Sequence, residues 1–344
     1  MAASPQIAVD PDVYVAEYGD DWQSETTSIG SSIYQGMMEN GRRYQTLSSK
    51  EYLIPSDEQA FESYEAGHLV ALVLDSAREN PLFRAPIGQD PKHILDLGTG
   101  KGDWAIDVAD MFPSANIRGV DLFPPPVTWM PPNCILEVDN VLEEWTWRDP
   151  LDLIHMRSMI GSFDTAGWDH VYESSYKALR PGGWIEQLEA DPTIECSDDS
   201  LPADSVLRTW GPITHACGAR AGRSLRTLDT MKAAIEKAGF VDVHEKTYQW
   251  LIGPWARDQQ FKEAGVVNFQ HWMSGMEGWC MWLLTHFGAP HPWSKEEVTV
   301  YLARMRKDIK NPRYHIFQRA RRVWARKPFP EELESKGVPI KEEV

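Results

Sequence analysis

The chain has 344 residues, of which 42% are hydrophobic and 25% charged, as expected of a water-soluble globular protein able to bury a large core. Its formal net charge is −17, and so acidic a surface repels phosphate backbones, which argues against nucleic acid as partner or substrate. No apolar run approaches the roughly 20 residues of a membrane-spanning helix, so no membrane partner is expected.

The cysteines and the first residues indicate the compartment. The chain has four isolated cysteines and no CxxC pair, so the sequence predicts neither a zinc site, nor another metal, nor a disulfide framework. The opening residues have no basic segment followed by an apolar one, so no secretory signal is expected. The sequence therefore predicts a cytoplasmic protein with reduced cysteines.

The N-terminal part divides into two segments. Residues 1–32 are polar, acidic and without periodicity, which predicts a flexible arm. Residues 33–90 are expected to be largely helical. Ser56 and Gln59 have the spacing of a capping box for a helix whose apolar stripe stops near Pro81.

Strand and helix patterns then alternate through residues 91–254. Strands are predicted at 93–97, 117–122, 134–140, 151–156, within "LRPGGWIEQLE" and within "VDVHEKTYQWLI". Helices are predicted at 103–112, 168–179 and over "LDTMKAAIEKAGF", which closes on Gly239. This alternation predicts an α/β fold with a doubly wound, parallel sheet and right-handed crossovers.

The pattern changes after Pro254. Residues 255–312 are rich in Trp and Met and have helical patterns, with a second capping box at Ser294 and Glu297. A final strand is expected within 313–330, and residues 331–344 are expected to be a disordered tail. We therefore predict a Rossmann-like sheet of seven strands with a helical cap inserted before the last strand.

The stretch "ILDLGTGKGDWAIDVA" carries the clearest chemistry. A strand, a glycine turn and a helix bring backbone close to a nucleotide-like ligand. Asp121, at the end of the next strand, can accept hydrogen bonds from both hydroxyls of a ribose, and Asp139 and Asn140 are placed to reach an adenine. The spacing is G-x-G-x-G rather than the G-x-G-x-x-G of dinucleotide sites, and Asp96 precedes it. An acid there favours the ammonium and sulfonium of S-adenosylmethionine, although the loop by itself leaves NAD open.

The motif series resembles the class I S-adenosylmethionine-dependent methyltransferases. "ILDLGTGKG", "GVDL", "VDN", "DLIHMRSMIGSF" and "LRPGGWIEQLE" occur in the order and at the spacing of that class. More narrowly, the chain is similar to the fungal LaeA-like methyltransferases of secondary metabolism over about residues 33–328. "GRRYQ", "YLIPSDEQ", "VTWMPPNC" and "WSKEEVTVYLARMRKDIKNPRYH" carry that narrower resemblance. Lys101 and Asn140 are small departures, and the second puts an adenine contact in doubt.

The resemblance implies a set of cofactor-binding residues, with S-adenosylhomocysteine as the cofactor product. The residues that would bind the methionine end are Asp96, Gly98, Thr99, Gly100 and Gly102. Those that would bind the ribose and adenine are Asp121, Leu122, Asp139, Asn140 and Val141. Tyr44 and Arg43 would close over the cofactor, although Arg43 is equally compatible with a surface ion pair. Arg157 would orient the methionine carboxylate or brace its loop.

The resemblance also implies methyl transfer, and the sequence leaves the acceptor open. A carboxylate acceptor needs no base, whereas a phenol, alcohol or amine benefits from a histidine. His155, at the end of the fourth predicted strand, is the best-placed candidate, with a scaffold role as the alternative. His215, His271 and His286 are further candidates, and no His–Asp pairing at diagnostic spacing selects a base.

"HWMSGMEGWCMWLL" is the predicted acceptor wall, with His271, Trp272, Met276 and Trp279, although a helical core is the alternative. The leading hypothesis is methyl transfer to O or N of an aromatic or apolar small molecule in fungal secondary metabolism. One alternative is a regulator of the LaeA type that acts through protein partners, in which case a nuclear location is compatible. Another is a fold converted to a different reaction, such as a cyclisation.

Overall fold

The computed structural model describes residues 33, 35–47, 52–127 and 129–335. The predicted arm at 1–32 and the end of the predicted tail, 336–344, lie outside these ranges. Within them, no helix has the length and apolar character that crossing a bilayer would require.

A seven-stranded mixed sheet forms the centre of the molecule. A short hairpin precedes it, made of β1 (Met37–Glu39) and β2 (Arg42–Tyr44). The strands of the large sheet are β3 (His93–Leu97), β4 (Asn116–Asp121), β5 (Cys134–Val138), β6 (Leu151–Arg157), β7 (Leu179–Cys196), β8 (Val241–Leu251) and β9 (Ile316–Arg326). Their order is β5-β4-β3-β6-β7-β9-β8. The strand β9 runs antiparallel to both of its neighbours, β7 and β8, and the other neighbouring pairs are parallel, so the sheet is mixed and not wholly parallel as predicted. The predicted doubly wound sheet is confirmed.

Helices cover both faces of the sheet and build the cap. They are α1 (Glu58–Asp75), α2 (Asp103–Met111), α3 (Thr165–Ala178), α4 (Leu207–Arg220), α5 (Thr227–Lys237), α6 (Gln259–Phe287), α7 (Lys295–Ile309) and α8 (Pro330–Ser335). The helices α6 and α7 lie in sequence between β8 and β9, as the sequence predicted. The capping box at the start of α7 is also confirmed, because the Ser294 side chain and the Glu297 side chain each bond the other residue's backbone N–H.

Three local predictions are wrong. The N-cap of α1 is Asp57, whose carboxylate accepts from the Ala60 N–H at 3.0 Å, while the Gln59 amide donates to the Ser274 carbonyl on α6. The helix ends at Asp75, well before Pro81. The first residues of the predicted disordered tail form α8.

The helix α4 was not predicted, because its glycines and Pro212 hide the helical pattern. It nevertheless packs in a separate apolar cluster that joins the cap to the core. Trp210 of α4, Trp272 of α6 and Leu302 of α7 are buried together in that cluster.

The helix α1 packs against α6 and covers the sheet through Val70, beside Trp250 and Ala320. The cap is thereby held over the carboxyl ends of the central strands.

Candidate functional site

A cavity of about 240 Å³ opens above the carboxyl ends of the central strands. The neighbouring strands β3 and β6 continue into connections on opposite sides of the sheet, and such a reversal of strand order is where open α/β sheets bind ligands. The glycine loop and the ends of β4 and β6 line one half of the cavity. Side chains of α4, α6 and β8 line the other half.

The glycine loop presents backbone to the cavity, as predicted. Gly98 and Gly100 line it and have φ of +67° and +60°, which glycine adopts without strain. A Cβ at Gly98 would overlap the Met159 sulfur. Gly102 does not line the cavity. It is the N-cap of α2, with φ of +89°, and a Cβ there would lie 2.6 Å from Leu136.

Asp121 reaches the loop from the end of β4. Its Oδ2 accepts from the Gly100 N–H at 2.8 Å, and its Oδ1 accepts from the Leu122 N–H at 2.7 Å. Burial raises the pKa of this carboxyl group to about 6, against the hydrogen bonds that lower it. Asp121 therefore shapes the glycine loop and also faces the cavity.

Asp96 and His155 form a buried pair that the sequence analysis missed. They are register partners on β3 and β6, and the His155 Nδ1 lies 2.7 Å from Asp96 Oδ1. Thr99 donates to the other Asp96 oxygen, also at 2.7 Å. The His155 ring stacks on Trp104 with centroids 3.8 Å apart, and only 1% of the residue is exposed. Burial lowers the pKa of His155. These contacts favour the scaffold alternative for His155, since its ring is held from two sides.

Arg157 lines the cavity two residues beyond His155 on the same side of β6. Its guanidinium has neither an ion pair nor a hydrogen bond among the described residues. Burial lowers its pKa to about 10, although Asp96 acts in the opposite direction. The buried, unpaired charge therefore lowers the free energy of unfolding, and a bound anion would offset that loss. The alternative role of bracing the loop has no contact to support it.

The predicted adenine residues lie at one end of the cavity. Leu122, Asp139, Asn140 and Val141 all line it. The Asn140 side-chain oxygen accepts from the Leu142 N–H at 3.2 Å, and Asp139 accepts from the Asn140 N–H at 2.7 Å. Asn140, one of the two departures from the resemblance, therefore stabilises its own turn.

The structure does not bring Tyr44 to the cavity. Its side chain is 2% exposed and packs with Leu53 and Trp282, because β2 turns it into that small core. Arg43 lies with its guanidinium 4.8 Å from the ring of Phe123, a cavity residue, and donates to the Ser56 carbonyl. Aromatic residues from the same region line the cavity instead: Tyr52, Phe61 and Tyr64.

Three of the four residues predicted for the acceptor wall line the cavity. His271, Trp272 and Trp279 line the cavity, whereas Met276 is fully buried in the cap core and is not a lining residue. Helical periodicity explains this outcome, because Met276 lies on the face of α6 that packs against the other cap helices.

Further lining residues come from elements without a recognisable motif. They are Asp191, Trp210, Thr214, Trp250 and Gln318. The Trp210 and Trp272 rings lie 5.6 Å apart, and the Trp272 N–H donates to the Gln318 side-chain oxygen. The only sequence signal for Trp210 and Trp250 was the high number of tryptophans in the chain. The other three residues had no signal.

The other candidate histidines do not line the cavity. His215 lies 3.4 Å from Asp191 through its Nε2, and Thr193 lies 3.2 Å from the same nitrogen. His286 stacks on Trp282 with centroids 4.4 Å apart. Of the histidines weighed from the sequence, the cavity contains only His155 and His271 among its described lining residues.

Comparison with known proteins defines the family. The family profile described as "Methyltransferase domain" matches residues 71–245. Methyltransferase pytC of Aspergillus terreus is 32% identical over 311 residues, covering 90% of this chain and 93% of that protein. The secondary metabolism regulator laeA of Fusarium oxysporum f. sp. lycopersici is 32% identical over 319 residues, covering 90% of this chain and 98% of that protein.

Solved methyltransferases are also similar. The Haemonchus contortus phosphoethanolamine N-methyltransferase 2, in complex with S-adenosyl-L-methionine, has a TM-score of 0.42 and 15% identity, over 70% of this chain and 50% of that one. A putative methyltransferase from Haloferax volcanii, in complex with the activator Trm112, has a TM-score of 0.42 and 14% identity, over 80% of this chain and 96% of that one.

The sheet order and the glycine loop are those of a class I, S-adenosylmethionine-dependent methyltransferase. The chain belongs to the methyltransferase-domain family and, within it, to the group that includes pytC and the laeA regulators.

Proposed function

We propose that this protein transfers the methyl group of S-adenosylmethionine to an oxygen or nitrogen of an aromatic or apolar small molecule of fungal secondary metabolism. The continuity of one cavity, from the glycine loop to a wall of four tryptophans, carries this proposal. The four are Trp210, Trp250, Trp272 and Trp279. A regulator that acted only through protein partners would need no such enclosed aromatic space beside the cofactor loop.

The cavity residues from the glycine loop and from the ends of β4 and β6 fit the cofactor. Gly98 and Gly100 leave room for the methionine end, and the carboxylate of Asp121 accepts from the ribose hydroxyls. Leu122 and Asp139 bind the adenine. The unpartnered guanidinium of Arg157 pairs with the methionine carboxylate, which is the anion that its buried charge lacks.

Bound S-adenosylmethionine supplies an electrophilic methyl group on a positively charged sulfur. The chain contributes alignment and exclusion of water, since the tryptophans and the cap helices enclose the acceptor beside the loop. Alignment of the reacting atoms alone can lower a barrier by about 7–11 kcal/mol. Because positive charge on sulfur is lost during transfer, a site poor in water favours the reaction.

A regulatory role is the second candidate, and the names of the laeA relatives favour it. The two functions make different demands on the aromatic half of the cavity. A small-molecule enzyme needs it open to an acceptor, and the product gains the mass of one methyl group. A regulator that acts through protein partners yields no methylated small molecule.

Calorimetric titration with S-adenosylmethionine, S-adenosylhomocysteine and NAD tests the proposal. We expect binding of the first two compounds and not of NAD.

Arg157→Met should weaken binding of both S-adenosylmethionine and S-adenosylhomocysteine by about ten- to a hundredfold, the effect of removing a charged hydrogen bond. It should leave the melting temperature of the ligand-free protein undiminished, because the guanidinium has no partner there to lose. NAD binding alone would refute the cofactor, and unchanged affinity in Arg157→Met would refute the placement of the carboxylate.

A further inference from the structure

His271 is a neutral imidazole whose tautomer is fixed by the fold. Its Nδ1 lies 2.7 Å from the Ser63 carbonyl oxygen on α1. A carbonyl only accepts hydrogen bonds, so Nδ1 carries the proton and Nε2 carries a lone pair. Burial lowers the pKa of His271 to about 4, so the ring is neutral near neutral pH.

Neighbours on α1 and α6 also hold the ring in place. It lies against Trp279 with centroids 4.7 Å apart. On the α1 side, a Cβ on Gly67 would lie 3.1 Å from His271 Cε1, so the absence of a side chain at Gly67 makes room for the ring. Ser63, Gly67 and Trp279 therefore set the direction of the Nε2 lone pair.

His271 contributes to the same cavity as the glycine loop and the tryptophans. His271 lines the cavity, and its Nε2 has no hydrogen-bond partner among the described residues. Tyr64, one turn before Gly67 on α1, packs directly on Gly100 of the cofactor loop. The tryptophan wall continues from Trp272 and Trp279, the neighbours of His271 on α6. These contacts link His271 to the glycine loop through α1 and to the tryptophan wall along α6.

We infer that His271 is the catalytic residue that accepts the proton of the acceptor's hydroxyl group, and that the acceptor is therefore a phenol or enol rather than a carboxylic acid. This inference rests on the proposed function. A carboxylic acid is already ionised at neutral pH and needs no lone pair beside it. His155, the other cavity histidine, is less suited because only 1% of it is exposed and Asp96 and Trp104 hold its ring.

The transfer balances with this assignment. As the acceptor oxygen attacks the methyl carbon, the O–C bond forms and the C–S bond breaks, leaving its electron pair on sulfur. The acceptor's proton passes to Nε2 of His271, which becomes an imidazolium. The positive charge thus moves from sulfur to the ring, whose low basicity returns the proton to solvent after product release.

Nitrogen NMR on histidine-labelled protein tests the tautomer without any acceptor. In the full-length protein loaded with S-adenosylhomocysteine, long-range proton–nitrogen correlations should show His271 with a protonated Nδ1 and an unprotonated Nε2. His271→Gln assigns the signal, and His286→Gln is the matched control on the same helix, outside the cavity. A protonated Nε2 or an imidazolium at neutral pH would overturn the inference.

Methyl transfer to a mixture of 2-naphthol, an enolic 1,3-diketone, 2-naphthoic acid and 2-naphthylamine, read by product mass, tests the acceptor class. We expect methylation of the phenol or the enol. His271→Ala should lower kcat/KM at neutral pH by at least about a hundredfold, while the Kd of S-adenosylmethionine and the activity of His286→Ala stay unchanged. The loss should diminish about tenfold per pH unit as the acceptor itself ionises, because a phenolate or enolate needs no base.

A loss independent of pH would show a merely structural role for His271 and overturn the inference. Methylation of only the acid or the amine would overturn it and leave the proposed function intact. If S-adenosylmethionine binds but no compound is methylated, the proposed function fails and the inference fails with it. If the protein binds no S-adenosylmethionine, the cofactor assignment is wrong, and the proposed function and the inference fail with it.

Discussion

Asp121 holds the glycine loop and also faces the cavity. Its oxygens accept from the Gly100 and Leu122 N–H groups and so fix the glycine turn that we propose to bind the cofactor. The same carboxylate faces the cavity, where the ribose hydroxyls are expected. Because burial raises its pKa from 3.8 to about 6, ionising it costs folding free energy as the pH rises between those values. We expect cofactor binding to need the ionised form, which accepts hydrogen bonds from the ribose hydroxyls.

We predict that affinity for S-adenosylmethionine falls on acidification through about pH 6 in the natural protein. Asp121→Asn should bind about ten- to a hundredfold more weakly, since an amide accepts fewer and weaker hydrogen bonds than a carboxylate. Its affinity should not vary over this pH range. Calorimetry at several pH values measures both effects, and a pH-dependent affinity that persists in Asp121→Asn would assign the titration to another group.

At the scale of elements, the cap depends on how closely α6 approaches the backbone beside β8. Gly265 is buried on α6, and its carbonyl accepts from the Gly253 N–H at 2.9 Å. A Cβ on Gly265 would overlap the Gly253 carbonyl oxygen, which is backbone and cannot rotate away. The helix therefore docks at a distance that only glycine allows.

We predict that Gly265→Ala destabilises the protein by about 2 kcal/mol. Alanine favours a helix over glycine by about 1 kcal/mol, but overpacking against backbone costs about 3 kcal/mol. Chemical denaturation measures the difference. The neighbouring Val266→Ala, at a position 51% exposed, is the control and should change stability little. A stabilised Gly265→Ala would show that α6 can shift without loss.

At the scale of the whole molecule, one buried charge network joins α1 to three strands. Asp75 at the end of α1 accepts from the Tyr248 hydroxyl of β8 at 2.8 Å and from Arg84. Arg322 of β9 lies 3.5 Å from Asp75 and donates to Glu186 of β7 at 2.7 Å. Glu186 also accepts from backbone N–H groups of the loop before β3. Elements distant in sequence are thus fixed by groups that are nearly all buried.

We predict that Asp75→Asn lowers the free energy of unfolding by about 3–5 kcal/mol, because it removes the counter-charge of Arg84 and one of the two counter-charges of Arg322 in a buried site. Burial by itself would raise the pKa of Asp75, but Arg322, Tyr248 and Arg84 lower it. Its stabilisation is therefore present at neutral pH and is lost in acid, as the pH falls through the folded-state pKa. The stability difference between the natural protein and the variant should shrink correspondingly at low pH.

The exposed pair of Asp90 and Lys92 provides the control for that prediction. Asp90→Asn should change the free energy of unfolding by at most about 1 kcal/mol, the usual contribution of a surface ion pair. Denaturation of both variants across pH makes the comparison. Equal effects at the two positions would show that the buried network contributes no more than a surface contact.

Local sequence patterns predicted the alternation of strands and helices, the glycine loop and the carboxylate at the end of β4. These features are local, because a few consecutive residues set the period, the turn and the strand end. The positions of Gly98, Gly100 and Asp121 in the cavity follow from that pattern and from the rule that ligands bind where the strand order reverses.

The packing and strand register of the fold determine which side chains meet across long stretches of chain. His155 lies beside Asp96 because β6 pairs with β3 in one particular register, and 59 residues separate the two in sequence. The aromatic and methionine-rich composition of the segment predicted both Met276 and Trp279 as wall residues, but the packing of α6 buries the first and leaves the second in the cavity. The tautomer of His271 depends likewise on a carbonyl of α1, 208 residues away. Register and helix packing are long-range properties, and no local pattern encodes them.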